Sequence, residues 1–403
     1  MKKILFFWLV CTFGANAQDY YQFKGQVLDL TTQQPLMGAN IRIGTIGTST
    51  NEKGEFLLKV SRKLMGSKLT VSMIGYKNYV QLLALADTVV KVINLESSNL
   101  TLDEVKVYSS ASGIVKSAIE RIEDNYFTKP TLLKGFCREV CQDPAKQEYI
   151  YLAEAVEDIY KPSYASSSKG NVYIIQARKK EFSPLDSMTI KFAAGTFAAL
   201  IFDVVHTRSA YINEKTIDDY TYKLQDITEF DNQDVYVISF SPKSEDKAGW
   251  DGKLYINTKD ESIIGVNYSS NKFSLEKSSK SGPSGTTFFK KESKVRYQKI
   301  ENKYFLQSVS NEMVLDRLDK KKKLGNYRVL LEYTTTDIEY ENVEKVKDIP
   351  KAHRSDVFVK VVGAMDENFW GNYTTVLQNS NLQSQLDKLS KESFEKSAEK
   401  EDK

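Results

Sequence analysis

The chain is poor in the residues from which metal centres and disulfide frameworks are built. Its 403 residues include only three cysteines and two histidines. Cys11 lies in the apolar N-terminal stretch, which leaves Cys137 and Cys141. On a strand their Cα atoms would be about 13 Å apart, too far for a disulfide, whereas on a helix they would be close enough to share a metal ion. We expect a strand, two unpaired cysteines packed as small apolar side chains, and no metal site.

The chain also lacks an excess of charge and the usual catalytic motifs. It has 56 Lys and Arg against 53 Asp and Glu, a net charge of +3, which argues against a nucleic-acid-binding protein. No Gly-x-x-x-x-Gly-Lys phosphate loop occurs, and Ser284 lacks the glycine two residues later that a nucleophile elbow requires. Carboxylates such as Glu154, Glu157 and Asp158 have no spacing that by itself brings two to hydrolase distance. We expect no enzymatic activity and no cofactor.

Long apolar runs are missing after the first 17 residues. Residues 1–17 have the pattern of a signal peptide, with Lys2 and Lys3 before an apolar stretch, Ile4–Phe13, and small residues at Ala15 and Ala17. An apolar stretch of about ten residues is short for a membrane anchor, and no later stretch approaches the roughly 18 apolar residues of a spanning helix. The sequence therefore predicts an exported protein that is not itself transmembrane.

Aromatic residues are abundant, and they favour strands. The chain has 23 Tyr and 20 Phe, which pack well on a pleated surface. Residues 18–108 form short alternating runs broken by turn residues, as in a small β-sandwich. The turn Asn51–Gly54, for example, precedes Phe56 and Leu58, which alternate toward one face.

Four linked blocks in this region carry a family resemblance. The blocks are Phe23-x-Gly25-x-Val27-x-Asp29, Pro35-Leu36-x-Gly38-Ala39-Asn40-Ile41, Gly47-Thr48-x-Thr50-Asn51-x-x-Gly54-x-Phe56 and Val71-Ser72-x-Ile74-Gly75-Tyr76. Together they resemble the carboxypeptidase-D regulatory-like domain. The resemblance implies a transthyretin-like, seven-stranded β-sandwich of the Gram-negative envelope that acts as a non-catalytic module for folding support or interaction. The His-x-x-Glu pair of a zinc carboxypeptidase is missing at both histidines, His206 and His353.

Residues 109–130 change character to a linker and an amphipathic helix. Apolar residues recur there at intervals of three and four, and the helix would end before Pro130. We expect the helix to pack against the sheet that follows, with partner binding as the alternative. The apolar positions are Ile114, Val115, Ala118, Ile119, Ile122 and Tyr126.

Residues 131–341 repeat strands and hairpin turns, which predicts an antiparallel β-sheet domain. Within it, Phe197–Val205 is apolar enough to be a short buried helix or lid. The hairpin around Asp260, from Lys253 to Val266, resembles the repeating hairpin of lipoprotein-carrier-like half-barrels. That resemblance implies a curved sheet with helices on its concave face. The predicted fold is therefore mainly β, with a sandwich followed by a curved antiparallel sheet and a few helices.

Residues 342–403 are predicted to be a C-terminal segment with a helix and a charged tail. Several further blocks lie outside the sandwich: Ile114-Val115-x-x-Ala118-Ile119, Asn125-Tyr126, Lys134-Gly135-Phe136-Cys137-Arg138-Glu139 and Asp366-Glu367-Asn368-Phe369-Trp370-Gly371-Asn372-Tyr373. Together with the sandwich, they make the chain similar to carboxypeptidase-like regulatory domain-containing envelope proteins of Gram-negative bacteria, whose function is uncharacterised.

Two groups of residues are candidates for binding. Phe369, Trp370 and Tyr373 are adjacent aromatics that suit a protein interface, or that dock back onto the chain's own sheet. A basic run would attract anionic lipid headgroups or an acidic partner, or would form a solvated hairpin tip. That run is Lys320, Lys321, Lys322 and Lys323.

These features lead to two functional hypotheses. The first is a non-enzymatic interaction or scaffolding protein of the envelope, periplasmic or outer-membrane-associated, that is a peripheral partner of an outer-membrane assembly. The alternative is a periplasmic carrier that holds a lipid or another apolar ligand in the concave sheet. A carrier requires an apolar cavity of several hundred Å³, whereas a scaffold requires a filled core and an exposed apolar patch.

Overall fold

The computed structural model describes residues 20–84, 90–98, 110–183, 195–244, 246–281, 285–319, 322–344, 346, 348–364, 370 and 373–388. The predicted signal peptide, residues 1–17, lies outside these ranges. The fold is mainly β, as the sequence predicts, with a small sandwich followed by a large, curved, open sheet.

The sandwich consists of seven described strands in two sheets. The three-stranded sheet has the order β4-β1-β7 and the four-stranded sheet has the order β3-β2-β5-β6. Alternate residues of each strand meet between the sheets, where Phe23, Ile41, Leu58 and Val71 are buried. The strands are β1 (Tyr20–Asp29), β2 (Asn40–Ile43), β3 (Ile46–Ser49), β4 (Glu55–Ser61), β5 (Lys68–Ser72), β6 (Tyr79–Leu82) and β7 (Lys91–Leu95).

Asn51 builds the turn before β4. Its Oδ1 accepts hydrogen bonds from the backbone N–H groups of Lys53 and Glu55, at 3.0 and 2.9 Å. Gly54 has φ +73°, and a Cβ there would overlap the carbonyl oxygen of Val27. Only glycine therefore fits the step that aligns β4 with β1.

The large sheet is antiparallel apart from its last, two-residue strand. Its order is β11-β12-β13-β14-β15-β16-β17-β8-β9-β10-β18. Some of its hairpins have two-residue turns, as at Asp231 and Asn232, which have φ 54° and 56°. The strands are β8 (Thr131–Asp143), β9 (Glu148–Lys161), β10 (Asn171–Glu181), β11 (Tyr220–Phe230), β12 (Gln233–Pro242), β13 (Trp250–Asn257), β14 (Ile263–Ser270), β15 (Thr286–Ile300), β16 (Lys303–Asp319), β17 (Lys322–Glu339) and β18 (Gly363–Ala364).

Helices cover one face of this sheet, called here the inner face. All six apolar positions predicted for the amphipathic helix are buried in the core of the inner face, so its packing against the sheet is confirmed. The predicted lid is also helical and buried. The helices are α1 (Ala111–Glu120), α2 (Ile122–Asn125), α3 (Ala198–Ile201), α4 (Val204–Thr207), α5 (Lys272–Ser281) and α6 (Phe358–Val361), with 3-10 turns at Arg62–Leu64, Gly195–Phe197, Ala210–Ile212 and Ile217–Asp219.

The opposite, outer face carries the sandwich and the C-terminal segment. Residues 380–388 form a further helix, α7. Its Leu382 and Leu386 are buried with Val140, Tyr149 and Leu152 of β8 and β9. The large sheet is thus covered on both faces in this region, by different parts of the chain.

Candidate functional site

The outer face of the large sheet carries a polar row that crosses seven strands. Directly paired residues of neighbouring strands point to the same face. The pairs run from β14 to β10 through Asn267, Lys294, Ser310, Glu332, Arg138, Glu154 and Arg178. The sandwich and the C-terminal segment lie over this row, which makes it the centre of the domain junction.

At one end of the row, Glu154 lies between two arginines. Its Oε1 accepts from Nε of Arg138, and its Oε2 accepts from Nε of Arg178, both at 2.8 Å. Burial alone would raise the pKa of the Glu154 carboxyl, but the two guanidinium groups hold it below its usual value. Glu154 is fully buried, so this carboxylate is saturated by structural partners.

Arg138 also fixes the C-terminal segment. Its two terminal nitrogens donate to the carbonyl oxygens of Val376, at 2.6 Å, and Leu377, at 3.2 Å. Gln378 next to them donates to Glu154 at 3.2 Å. The segment is therefore held by charge-assisted hydrogen bonds rather than by apolar contact alone.

The same segment contacts the sandwich. The carbonyl oxygen of Gln378 accepts from Asn51 at 3.0 Å, and the carbonyl oxygen of Thr375 accepts from Thr48 at 3.4 Å. Residues 374–380, called here the strap, thus bridge the two domains. The predicted C-terminal helix is part of this bridge.

A second set of contacts joins the sandwich to hairpin β11–β12. Arg42 forms an ion pair with Asp231 at 3.3 Å and donates to the carbonyl oxygen of Lys299 at 3.1 Å. Asn78 donates to Asp231 at 2.7 Å, and the N–H of Gly75 donates to the carbonyl oxygen of Glu229 at 2.8 Å. The sandwich is therefore fixed at several separated points, which include the hairpin and the strap.

The face that makes these contacts extends beyond the large sheet. Pairing places Val80 of β6 in one row with Thr70 and Arg42, and Leu82 shares this face because strand side chains alternate. Val80 is 51% exposed and Leu82 is 61% exposed. These two side chains, called here the β6 overhang, are an apolar continuation of the docking face.

Between the two domains lies a cavity of about 400 Å³. Its floor is the outer face of β15, β16, β17 and β8, and its roof is the sandwich. Ser308, Ser310 and Thr334 are small side chains on the floor, while Met73 and Ile74 contribute apolar surface from the roof. The cavity is therefore polar on one side and apolar on the other.

The sandwich coincides with a known domain family. Residues 23–107 match the family model of the CarboxypepD_reg-like domain. This part of the chain is a CarboxypepD_reg-like domain. The finding agrees with the resemblance of its four sequence blocks and assigns no function to the large sheet.

Several solved structures are similar to parts of the chain at low identity. A LolA superfamily protein from Nitrosomonas europaea is 14% identical over 59% of this chain and 96% of its own, with a TM-score of 0.25. A chain of the MucA/MucB complex of Pseudomonas aeruginosa is 9% identical over 58% and 99%, with a TM-score of 0.20. A membrane-associated protein from Bacteroides fragilis is 11% identical over 79% and 96%, with a TM-score of 0.16. None of these values is high enough to transfer a function, and no curated protein matches the chain.

Of the three predicted aromatic partner residues, Phe369 lies outside the described residues. Trp370 packs edge-on against Phe136, with ring centroids 5.6 Å apart, and Arg178 lies 4.8 Å from its ring centroid. Tyr373 is exposed. Trp370 thus docks on the chain's own sheet, one of the two predicted alternatives, and partner binding by these residues stays a prediction.

The predicted basic run falls at the β16–β17 connection. Lys320 and Lys321 lie outside the described residues. Lys322 and Lys323 are the first residues of β17. The structure therefore places the run at a hairpin, and its role in binding stays a prediction.

On the inner face, the described residues are packed with the chain's own side chains. Cys137 and Cys141 are unpaired and buried there, and burial raises the pKa of the Cys137 thiol, so it is not a reactive thiolate. Burial also raises the pKa of Glu139 to about 7 and that of Glu157 well above its usual value. The two cysteines belong to the packed core of the inner face.

Asp203 anchors the lid to the inner face. Lys161 forms an ion pair with it at 2.6 Å, and Tyr164 and Tyr297 donate to it at 2.9 and 2.7 Å. The backbone N–H of His206 donates at 3.1 Å to Oδ1 of Asp203, the oxygen that Tyr297 also contacts, and so starts α4. Four donors contact the carboxylate of Asp203, so this residue has a structural role.

Three further features of the described residues concern catalysis, metal binding and membrane insertion. Glu154 and Glu157 lie on opposite faces of β9, so they do not form a catalytic pair. No three His, Cys, Asp or Glu side chains within the described ranges are grouped to hold a metal ion. In the same ranges, no helix combines the length and the apolar composition needed to cross a bilayer.

Proposed function

We propose that the chain is a non-enzymatic interaction protein of the cell envelope, a peripheral periplasmic partner of an outer-membrane assembly, and that the β6 overhang is its binding surface. The observation that carries the proposal is the continuity of this surface with the face that already binds the large sheet. One half of that face is covered by the chain itself, and the other half exposes Val80 and Leu82.

The geometry of β6 points to one kind of occupant. Among the described residues, β6 pairs with β5 only. The N–H of Leu83 donates to the carbonyl oxygen of Ser67 on the β5 side, so alternation directs the backbone groups of Leu82 and Val80 away from β5. An extended segment of a partner protein, with apolar side chains in alternate positions, would pair with this edge and cover the overhang.

The domain junction gives this surface a fixed position. Ion pairs and hydrogen bonds at the hairpin and at the strap hold the sandwich against the large sheet. A partner therefore meets a preorganised edge, and less entropy is lost on binding than with a tethered module. The signal-peptide pattern at residues 1–17 supports placement in the envelope.

Site-specific photo-crosslinking in intact envelopes tests the proposal. A photoreactive amino acid is placed at position 82 or 80, and at position 146, an exposed turn residue, as a control. We expect one discrete adduct from 80 and 82 and none from 146. The purified adduct partner should bind the wild-type chain and not the Leu82→Glu variant. Equal adducts from all three positions, or none from β6, would overturn the proposal.

A further inference from the structure

The cavity between the sandwich and the large sheet has the features of a ligand site. Its volume of about 400 Å³ lies within the usual range of small-molecule sites, about 300–1,000 Å³. It lies at an interface of two domains, a common location for such sites. Its place on the outer face separates it from the packed core of the inner face.

Strand pairing explains why the cavity exists. Lys294, Ser310 and Glu332 lie in one row, and Arg296, Ser308 and Thr334 lie in the next. The small hydroxyl side chains of β16 and β17 leave a hollow between longer charged side chains on either side. The sandwich spans this hollow because Gln307 donates to Asn40 and to Ser49, both at 3.3 Å.

The β15 side of the cavity is cationic and lacks a balancing carboxylate. Arg296 donates to the backbone carbonyl oxygens of Val295 and Val266, at 2.9 and 3.3 Å, and it lies 5.4 Å from the ring centroid of Tyr255. Among the described residues, no carboxylate oxygen lies within 4.0 Å of Arg296 or Lys294. The facing Glu332 is two strands away, about 10 Å.

Two buried polar atoms near this cationic side also lack a partner. Ser72 lines the roof and is 1% exposed, and its Oγ has no hydrogen-bond partner in the described structure. Asn267 is next to Lys294 in the polar row. Its Oδ1 is also buried and also lacks a hydrogen-bond partner. Buried polar groups are rarely left unsatisfied, so both atoms are suited to a polar group of a ligand.

Glycine 265 makes room for this arrangement. A Cβ at this position would lie 3.2 Å from Cδ of Arg296 and 3.2 Å from Cδ1 of Ile74. The missing side chain lets the guanidinium of Arg296 lie over β14 while Ile74 packs from the roof. The cationic side and the apolar roof therefore meet at one point.

We propose that this cavity binds a small amphipathic anion, whose single carboxylate or phosphate is held by Arg296 and Lys294 and whose short apolar body lies against Met73 and Ile74. A guanidinium group pairs with either headgroup through charge-assisted hydrogen bonds. The ligand places its charge at the β15 side, away from Glu332. This site is separate from the β6 overhang and does not depend on a protein partner.

Calorimetric titration of the full mature chain tests the site with three probes of equal chain length: decanoate, decyl phosphate and decanol. We expect decanoate or decyl phosphate to bind with a dissociation constant below about 100 μM, and the one that binds more tightly identifies the headgroup. Decanol should bind at least about 10-fold more weakly. Equal binding of decanol would overturn the anionic assignment, and no binding of any probe would overturn the site.

Three substitutions test whether the anion binds in this cavity. Arg296→Met should weaken binding of the anion by about 10- to 100-fold. Arg328→Met, which removes an arginine paired with Glu312 outside the cavity, is the matched control and should leave binding unchanged. Ser310→Leu, which fills the floor, should abolish binding while the protein stays folded. Unchanged affinity in both Arg296→Met and Ser310→Leu would contradict the proposal, whatever the outcome of the crosslinking experiment.

Discussion

Arg138 and Glu154 form a buried ion pair at 2.8 Å that also determines where the C-terminal segment lies. The guanidinium pairs with the carboxylate on one side and holds two strap carbonyl groups on the other. The strap in turn receives hydrogen bonds from the sandwich. One ion pair inside the large sheet is thus linked, through a short segment, to the orientation of the other domain.

Replacing Arg138 with Met should release the strap. The variant leaves the buried Glu154 with Arg178 as its one ion-pair partner and removes two donors from strap carbonyl groups. We expect a loss of about 3–5 kcal/mol in the free energy of unfolding. Hydrogen exchange should show lost protection in residues 376–378 and in Asn51. The control is Arg328→Met, whose partner Glu312 is more exposed, with an expected loss of at most about 1 kcal/mol. Equal losses in the two variants would contradict this role of Arg138.

Glu154 should make the protein sensitive to acid. Burial opposes its ionisation, but Arg138 and Arg178 hold its pKa below the usual value of 4.5. The stabilisation is present above the unfolded-state pKa and is lost as the pH falls through the folded-state pKa. The free energy of unfolding of the wild type, measured with urea, should therefore fall steeply below about pH 4.5. Glu154→Gln should be less stable at pH 7, and the difference should shrink at pH 3. If the difference in stability between wild type and Glu154→Gln is the same at both pH values, the ionised Glu154 does not contribute to stability in this way.

Glu139 should make the protein less stable as the pH rises, which is the opposite of the effect of Glu154. Burial raises its pKa to about 7, against the hydrogen bond from Tyr151. The folded state therefore holds a proton that the unfolded state releases, and stability falls as the pH rises from about 4.5 to 7. We expect Glu139→Gln to gain up to about 3 kcal/mol relative to wild type between pH 5 and pH 8. Glu148→Gln, at an exposed position of the same hairpin, should show no such gain. A pH-independent difference for Glu139→Gln would contradict the raised pKa.

Gly135 and Tyr333 should be coupled. A Cβ at Gly135 would overlap the ring of Tyr333 on the neighbouring strand. Gly135→Ala should therefore cost about 1–3 kcal/mol by overpacking, and Tyr333→Leu in the same chain should recover part of that loss. A double-mutant cycle from urea unfolding measures this coupling. Additive effects would show that the two positions do not compete for space.

The sequence predicts the mainly β fold well because its elements depend on local patterns. Alternation in β4 and the apolar spacing of Ile114 and Ile122 are short-range signals, and both segments have the predicted structure. The four blocks of the sandwich likewise identify its family. These signals need no knowledge of which strands are neighbours.

The domain junction depends on long-range pairing and is not readable from local patterns. Arg138, Glu154 and Arg178 meet because β8, β9 and β10 pair in one register, and the paired residues are 16 and 24 positions apart. The cavity depends on Ser308 and Ser310 facing a separate domain. The carboxylates Glu154 and Glu157 are different, since their spacing of three residues already places them on opposite faces of any regular strand.

The most direct test of the proposed function is the affinity of the crosslinked envelope partner for the purified chain. The comparison is between wild type and a Val80→Glu/Leu82→Glu variant, with matched melting temperatures as evidence of folding. Binding of the partner would bury two carboxylates at the overhang, which is unfavourable. We therefore expect the variant to bind at least about 100-fold more weakly. Equal affinity, with both proteins folded, would contradict a binding role for the β6 overhang.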